Sequence, residues 1–520
     1  MIIVSNISHL LLAKIISYLD DNIDRICFTL VCRRWFNDRH RYLLFNDIKH
    51  VGVPNMSKIC MNSYKSLIND SMQQKRSKMI MGPNNRYKYY SSGIQTATIN
   101  ISGSNSNTTS YVLAENLYQI ESNSNITNIK RCLTLKDKFP PSLTSLSLDQ
   151  AFEEPLFRDC FPQSLRKLRL NKDTQPLGHG VLPSSLEKLI IVKLMHPIEP
   201  GVLPASLRSL YIIYSKIEGF LKVGSLPNQL ESYFHSMNVI HIEDNVLPTS
   251  LKSLMNIPTI WIPHLSSLVN LRSLSFLLLR NTVVLDLSVL PSSLTALNLI
   301  GSPTLKSALP ISIRHLQLCN SFYNLDELFP DRSNYHLEVL GIDGFSEQSL
   351  VGLDIKRLEL GTPFTDSRKK LREIPFGVRE LSLCTSNAIV DDNTFPSTLR
   401  ELNVYDLTIF NQSGVKLPNS IKHLILRSND SNITKISNNI FPNSLESIKI
   451  STISIPFNSM VDNLTIKNDN CNCTIRKLDN DYFILFGMID RKFIASLFHK
   501  SKFHPPNKFK SILKNKISNL

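Results

Sequence analysis

Glycine is scarce. Seventeen glycines in 520 residues leave little material for phosphate-cradling loops. No Gly-x-Gly-x-x-Gly, Walker loop, Gly-x-Ser-x-Gly or His-Glu-x-x-His occurs, and the thirteen histidines lack metal-ligand spacing. No catalytic residue, cofactor or metal ion is therefore expected, and the chain reads as a non-enzyme. Runs of about 18 uncharged apolar residues are missing, so no membrane span is expected. The nine cysteines, at 27, 32, 60, 132, 160, 319, 384, 471 and 473, are odd in number and irregular in spacing. That pattern argues against a disulfide framework and for reduced thiols. Cys471-Asn472-Cys473 has no second Cys/His pair at finger spacing, so zinc is not expected. Met1 to Leu19 is apolar but lacks a basic n-region and a small-x-small cleavage site. The expected compartment is cytoplasmic or nuclear.

Charge is also thin, at 19% of residues, with a net excess of +15. Six lysines between Lys500 and Lys516 carry +6 of it, and no acid stands among them. Such a tail can touch nucleic acid or anionic lipid. A second basic stretch, Lys75-Arg76 through Arg86-Tyr87-Lys88-Tyr89-Tyr90, mixes cations with tyrosine as single-strand binders do. No recognition motif surrounds either, so both are read as solvated surface, with no membrane or nucleic-acid partner.

What is abundant is a repeated phrase: Leu or Phe, Pro, a linker residue, then Ser-Leu-x-x-Leu-x-Leu. It begins at Phe139-Pro140-Pro141-Ser142-Leu143-Thr144-Ser145-Leu146-Ser147-Leu148 and returns with prolines at 162, 183, 204, 227 and 248. The spacings are 22, 21, 21, 23 and 21 residues. It recurs at Pro291, Pro310, Pro375, Pro396, Pro418 and Pro442, and the stretches around Leu271–Leu274 and Leu358–Leu360 keep the leucines without the proline. A period of about 20–25 residues marks a stacked solenoid. The last two leucines are two apart, the strand period that points both inward. Proline fixes φ and removes an N–H, which stops strand pairing before the turn. The serine beside it can satisfy freed backbone groups. One unit cannot bury its own apolar edge, but a stack forms one ladder.

The first 46 residues have another period. Leu12, Ile15, Ile16 and Leu19 share one helix face, Asp20-Asp21-Asn22 offers a cap, and Ile23, Ile26, Cys27 and Leu30 repeat the spacing. Val31 to Trp35 closes that second helix, and a third is expected near Phe36 to Phe45. So small a unit buries little and needs a partner. Ile7-Ser8-x3-Leu12-x2-Ile15-Ile16-Ser17-Tyr18-Leu19 followed by Leu30-Val31-Cys32-Arg33-Arg34-Trp35 resembles a degenerate F-box. Ser8 replaces that family's proline, and Leu10 its acid. The resemblance implies a Skp-type adaptor and a cullin scaffold as partners, with adaptor contacts at Ile7, Leu11, Leu12, Ile15, Ile16, Leu19, Leu30, Val31 and Trp35. The residues themselves also allow a plain helical cap on the solenoid.

The repeat phrase, joined to Phe152-Glu153-Glu154-Pro155-Leu156, Thr174-Gln175-Pro176-Leu177, His196-Pro197-Ile198 and Phe410-Asn411-Gln412, resembles the FNIP repeat. That resemblance implies a leucine-rich-repeat-like array and an interaction module. The fold class expected is α+β: the F-box-like helical unit at 1–46, an Asn/Ser-rich spacer at 47–125 with strand candidates at Gln95–Ile101 and Tyr111–Ile120, a parallel β solenoid at 126–456, and a C-terminal cap with basic tail at 457–520. In the cap, Thr474–Leu478 and Tyr482–Phe486 read as a hairpin and Phe493–His499 as a helix. Residues alternating with the inward leucines face the open strand surface, and Arg169, Ile190, Val192, Tyr211 and Ile213 form the expected partner site. The expected function is protein interaction: substrate recognition for a Skp/cullin/F-box-type ubiquitin ligase, or a stand-alone repeat scaffold without a ubiquitin link.

Overall fold

The computed structural model describes residues 7–45, most of 62–71, 79–80, 111–113, and 127–499 apart from short segments such as 216–220, 236–241, 278–283, 362–368, 428–440 and 451–462. The strand candidate Gln95–Ile101, the basic stretch 75–90 and the lysine tail lie almost wholly outside the described residues. No helix among the described residues is long and apolar enough to cross a membrane. The fold is a parallel β solenoid with few helices, in two compact units: residues 77–356, and residues 1–76 with 357–520.

The unit of residues 77–356 is a parallel ladder. Its strands are β1 (Met79–Ile80), β2 (Tyr111–Leu113), β3 (Asn128–Cys132), β4 (Ser145–Leu148), β5 (Lys167–Leu170), β6 (Lys188–Ile191), β7 (Ser209–Ile212), β8 (Ser232–His235), β9 (Ser253–Ile257) and β10 (Ser273–Leu277). Then come β11 (Val284–Asp286), β12 (Ala296–Ile300), β13 (Thr304–Lys306), β14 (His315–Cys319) and β15 (His336–Asp343). Each main strand pairs in parallel with the next, while β11 and β13 form a separate pair. Registers place like on like: Leu168, Leu189 and Leu210 are direct partners. All three are buried, as are the leucines that open each phrase at 143, 165, 186 and 207. Each buried leucine contributes about 1.5–3 kcal/mol.

The Pro-x-Ser-Leu segment is a tight turn in which the leucine amide donates to the proline carbonyl, at 3.0 Å for Leu143, Leu165 and Leu207. Its serine does something the phrase alone does not reveal. Ser164, Ser185, Ser206 and Ser250 each donate to the carbonyl of the phrase-opening leucine one turn earlier, at 2.7–2.8 Å. The hydroxyls therefore stitch successive turns through carbonyls that the ladder leaves unused, which satisfies buried backbone acceptors. Where Asn270 replaces serine, its amide donates to the Thr249 carbonyl at 3.0 Å. Asp173, at the position where leucine-rich repeats carry asparagine, is buried and accepts from the Met195 and His196 amides at 2.5 and 2.8 Å.

In the unit of residues 1–76 with 357–520, the parallel strands are β16 (Asp354–Gly361), β18 (Glu380–Leu383), β20 (Glu401–Val404), β21 (His423–Leu426), β22 (Ser447–Ile450) and β23 (Asn463–Lys467). The short β17 (Lys369–Lys370) and β19 (Ala388–Ile389) pair apart. Then the direction reverses: β24 (Cys471–Lys477), β25 (Tyr482–Ile489) and β26 (Lys492–His499) are antiparallel. The expected hairpin is β24–β25. The helix expected at Phe493–His499 is instead β26, because β25 offers an open edge and Phe, Ile and Leu suit a strand.

Three helices open this unit: α1 (His9–Ser17), α2 (Asn22–Thr29) and α3 (Arg33–Asp38), the last continued by a single tight turn at Arg39–Arg41. The third helix starts earlier than the hydrophobic pattern indicates, because Val31 and Cys32 form the bend before it. Asp21 caps α2 by accepting from the Ile23 amide at 2.6 Å. Ser8 caps α1 and holds φ at −66°, the value a proline would impose. Serine at this position thus gives the helix start the backbone angle of a proline and adds a side-chain cap.

Candidate partner-binding faces

Two surfaces carry the expected site residues. On the strand surface of the 77–356 unit, side chains alternate, so every second residue leaves the leucine core. The register aligns Arg169, Ile190, Tyr211, Phe234 and Met255 in one row across β5 to β9. Ile190, Tyr211, Phe234 and Met255 are half-buried and Arg169 is exposed. Tyr211 stacks on Phe234 with ring centroids 5.9 Å apart, and the Lys188 ammonium lies 4.4 Å over the tyrosine ring. Val192 and Ile213 continue the β6 and β7 lines just past the strands, with Ile213 exposed. All five expected partner residues thus lie on one surface of adjacent turns.

Phe234 and Met255 belong to the same row but are hidden in the sequence. In β8 the inward pair is Tyr233 and His235 instead of two leucines, so the alternation that would mark Phe234 is disguised. Tyr233 is fully buried and stacks on Trp261 at 5.9 Å. In β9 an irregular register between Leu254 and Ile257 stretches the two-residue period to three. The pairing of β9 with β8 is regular and sets Met255 beside Phe234; the irregularity lies on the β10 side and breaks the leucine period only after Met255.

The adjacent row, where each phrase reads Leu-x-x-Leu, is charged and self-neutralising. Arg166 pairs with Glu187, and Glu231 receives both Arg208 at 3.0 Å and Lys252 at 2.9 Å. These exposed pairs contribute little stability each. They do remove their charge from the surface, whereas Lys167, Arg169 and Lys188 are in no ion pair among the described residues.

The second surface is the N-terminal helical unit, which divides the nine expected adaptor residues. Leu12, Ile16 and Trp35 are buried in its core, with Ile7 and Leu19 packed at the margin. Leu11, Ile15, Leu30 and Val31 are exposed, at 58, 39, 53 and 62%. Leu10 and Tyr18, outside the expected set, are exposed as well. The core is completed from distant sequence: Tyr64, Leu67 and Ile68, and Ile484 and Phe486 of β25. Phe45 stacks on Phe486 at 5.6 Å, and Asp24 pairs with Arg476 of β24. The Thr29 and Tyr64 hydroxyls meet at 2.6 Å, and Tyr42 donates to the Trp35 carbonyl at 2.5 Å. Burial pushes the Tyr64 phenol up. The partner that so small a helical unit needs is thus its own C-terminal hairpin, while Leu10, Leu11, Ile15, Tyr18, Leu30 and Val31 stay exposed.

The FNIP Repeat model matches residues 134–173, 174–215, 196–234 and 410–452. The chain carries FNIP repeats. The first three of those windows span β4 to β8, so most of the Arg169-to-Met255 row stands on FNIP turns. Among solved structures, the chain is similar to CroV588, described as a novel circular LRR protein, with 24% identity and a TM-score of 0.44. The alignment covers 63% of this chain and 50% of that one. It is also similar to TLR13 in its complex with ssRNA13, at 15% identity and a TM-score of 0.36, covering 66% of this chain and 60% of that one. This chain thus spans half the length of the first and three fifths of the second. No curated protein matches the sequence. The molecule is a repeat protein whose stacked turns form a parallel β solenoid, an architecture that offers an extended surface.

Proposed function

We propose that this chain is a protein-interaction subunit in which the FNIP solenoid captures a protein through its strand surface and the N-terminal helices hold a Skp-type adaptor. In that role it presents a substrate to a cullin-based ubiquitin ligase, contributing proximity and orientation while chemistry resides in other subunits. One observation carries the reading. The helical unit buries one side against β25 and leaves Leu10, Leu11, Ile15, Tyr18, Leu30 and Val31 exposed. Scattered exposed leucines are ordinary, but six large apolar residues on 22 residues of a folded helical unit favour a docking surface. The plain-cap reading has its own support in the packing of Phe45 on Phe486. The two roles use different residues of the helical unit and are compatible.

Affinity purification of the full chain at low salt tests the assignment. The native protein is expected to retain a Skp-type adaptor, and a Leu11→Asp, Val31→Asp variant to lose it while melting at the same temperature. Failure of the native protein to retain any such adaptor would leave the scaffold reading, with no ubiquitin link.

A further inference from the structure

The row from Arg169 to Met255 has a direction. Its β5–β6 end is cationic: Lys167 and Arg169 are exposed, Lys188 leans over Tyr211, and none of the three is paired with a carboxylate among the described residues. Its β7–β9 end is apolar, formed by Tyr211, Phe234 and Met255. Two residues upstream on that end stand Ser209, Ser232 and Ser253, which add hydroxyls but no charge. No outward residue of β4 to β9 is acidic. At about 4.8 Å between strands, the distance from Ile190 to Met255 is roughly 14 Å. That matches four or five residues of an extended peptide at about 3.3 Å each.

We propose that this stripe binds an acidic protein segment: carboxylates over Lys167 and Arg169, and a large apolar side chain against Tyr211, Phe234 and Met255. This rests on the strand surface being the capture site, and it adds the partner's chemistry. Charge complementarity selects the sign, because three uncompensated cations beside a desolvating apolar surface attract anions and repel basic segments. The apolar anchor selects protein over nucleic acid. A nucleic-acid strand needs cations along its whole track and free aromatic faces on which bases stack. Here the cations stop at β6, and the Tyr211 ring lies between Lys188 from one neighbouring strand and Phe234 from the other.

The test is selection of a displayed random-peptide library on the full-length protein, followed by affinity measurement on the recovered peptides. The expected peptides carry Asp or Glu a few residues from Leu, Phe or Trp. Tyr211→Ser with Phe234→Ser, and separately Lys167→Glu with Arg169→Glu, are each expected to weaken them about tenfold or more at unchanged melting temperature. Raising salt from 50 to 500 mM is expected to weaken binding to the native protein and to leave the charge-reversed variant nearly unaffected. Peptides that need Tyr211 and Phe234 but ignore the charge reversal would overturn the acidic assignment while keeping the capture surface. If no recovered peptide responds to either variant, the capture surface itself is wrong. Tighter, Tyr211-dependent binding of single-stranded oligo(U) would replace the protein partner with nucleic acid.

Discussion

On β5 to β9 the outward row reads Arg169, Ile190, Tyr211, Phe234, Met255; on β16 to β22 it reads Glu359, Ser382, Asn403, Ile425, Lys449. The inward rows of the two stretches are nearly the same. Leu168, Leu189 and Leu210 line one, and Leu358, Leu381, Leu402 and Leu424 line the other, all buried. Ser382 and Asn403 are themselves buried, and the Asn403 amide donates to the Ser382 hydroxyl at 3.3 Å, where the first row has an outward-facing aromatic pair. The lesson is that packing constrains one column of a repeat and leaves its neighbour free to carry recognition.

The hardest way to break this comparison is through the core column. Leu210→Ala and Leu402→Ala are each expected to cost about 2–5 kcal/mol, read by denaturant unfolding of the full chain. Markedly unequal losses would mean that the two stretches do not share one packing scheme.

The comparison sharpens at β8, where His235 takes an inward position that leucine holds in other turns. Burial pushes its imidazole down to about 4. Because the unfolded chain takes up the proton near 6.5, stability is intact above that pH and is lost as pH falls toward 4. The loss at full development is roughly 3 kcal/mol by the size of the shift. His235→Leu is expected to flatten the stability profile in that window. A slope equal to the native one at pH 4–6.5 would assign the acid sensitivity elsewhere.

The serine stitches should behave alike in both stretches, since Ser206 donates to the Leu186 carbonyl and Ser444 to that of Ile421, each at 2.8 Å. Ser206→Ala and Ser444→Ala are each expected to cost about 1 kcal/mol. An effect on only one of them would make the stitch local rather than a property of the repeat. The smallest effects belong to the outward rows. Arg169→Ala and Lys449→Ala should each shift stability by less than about 0.5 kcal/mol, and only the Arg169 change should weaken capture of an acidic peptide.

Much of the fold was legible in residues. The proline period announced the stack, and leucines two apart announced strands. Tyr211 and Ile190 could be read as outward neighbours because their turns are regular. Phe234 and Met255 could not, since Tyr233 and His235 break the leucine pattern in one turn and a bulge breaks the period in the next. The role of serine was half legible: its position beside proline suggested a hydrogen bond, but the acceptor lies one turn back along the stack. The N-terminal helices were legible as helices, but not their sidedness. Leu11 and Leu12 are adjacent in sequence, and one is exposed while the other is buried.

What the chain determined by its order of residues alone is the repeat. A two-residue apolar period set against a twenty-residue proline period leaves few ways to bury the leucines other than stacking. What only the tertiary structure decided is which outward side chains become neighbours, and what the helices lean on. Ile190, Tyr211, Phe234 and Met255 come from separate turns and meet through strand register. The helical core closes only when Ile484 and Phe486 arrive from more than 400 residues away. Contacts at that separation are set by the geometry of the stacked backbone, which no local pattern of residues encodes.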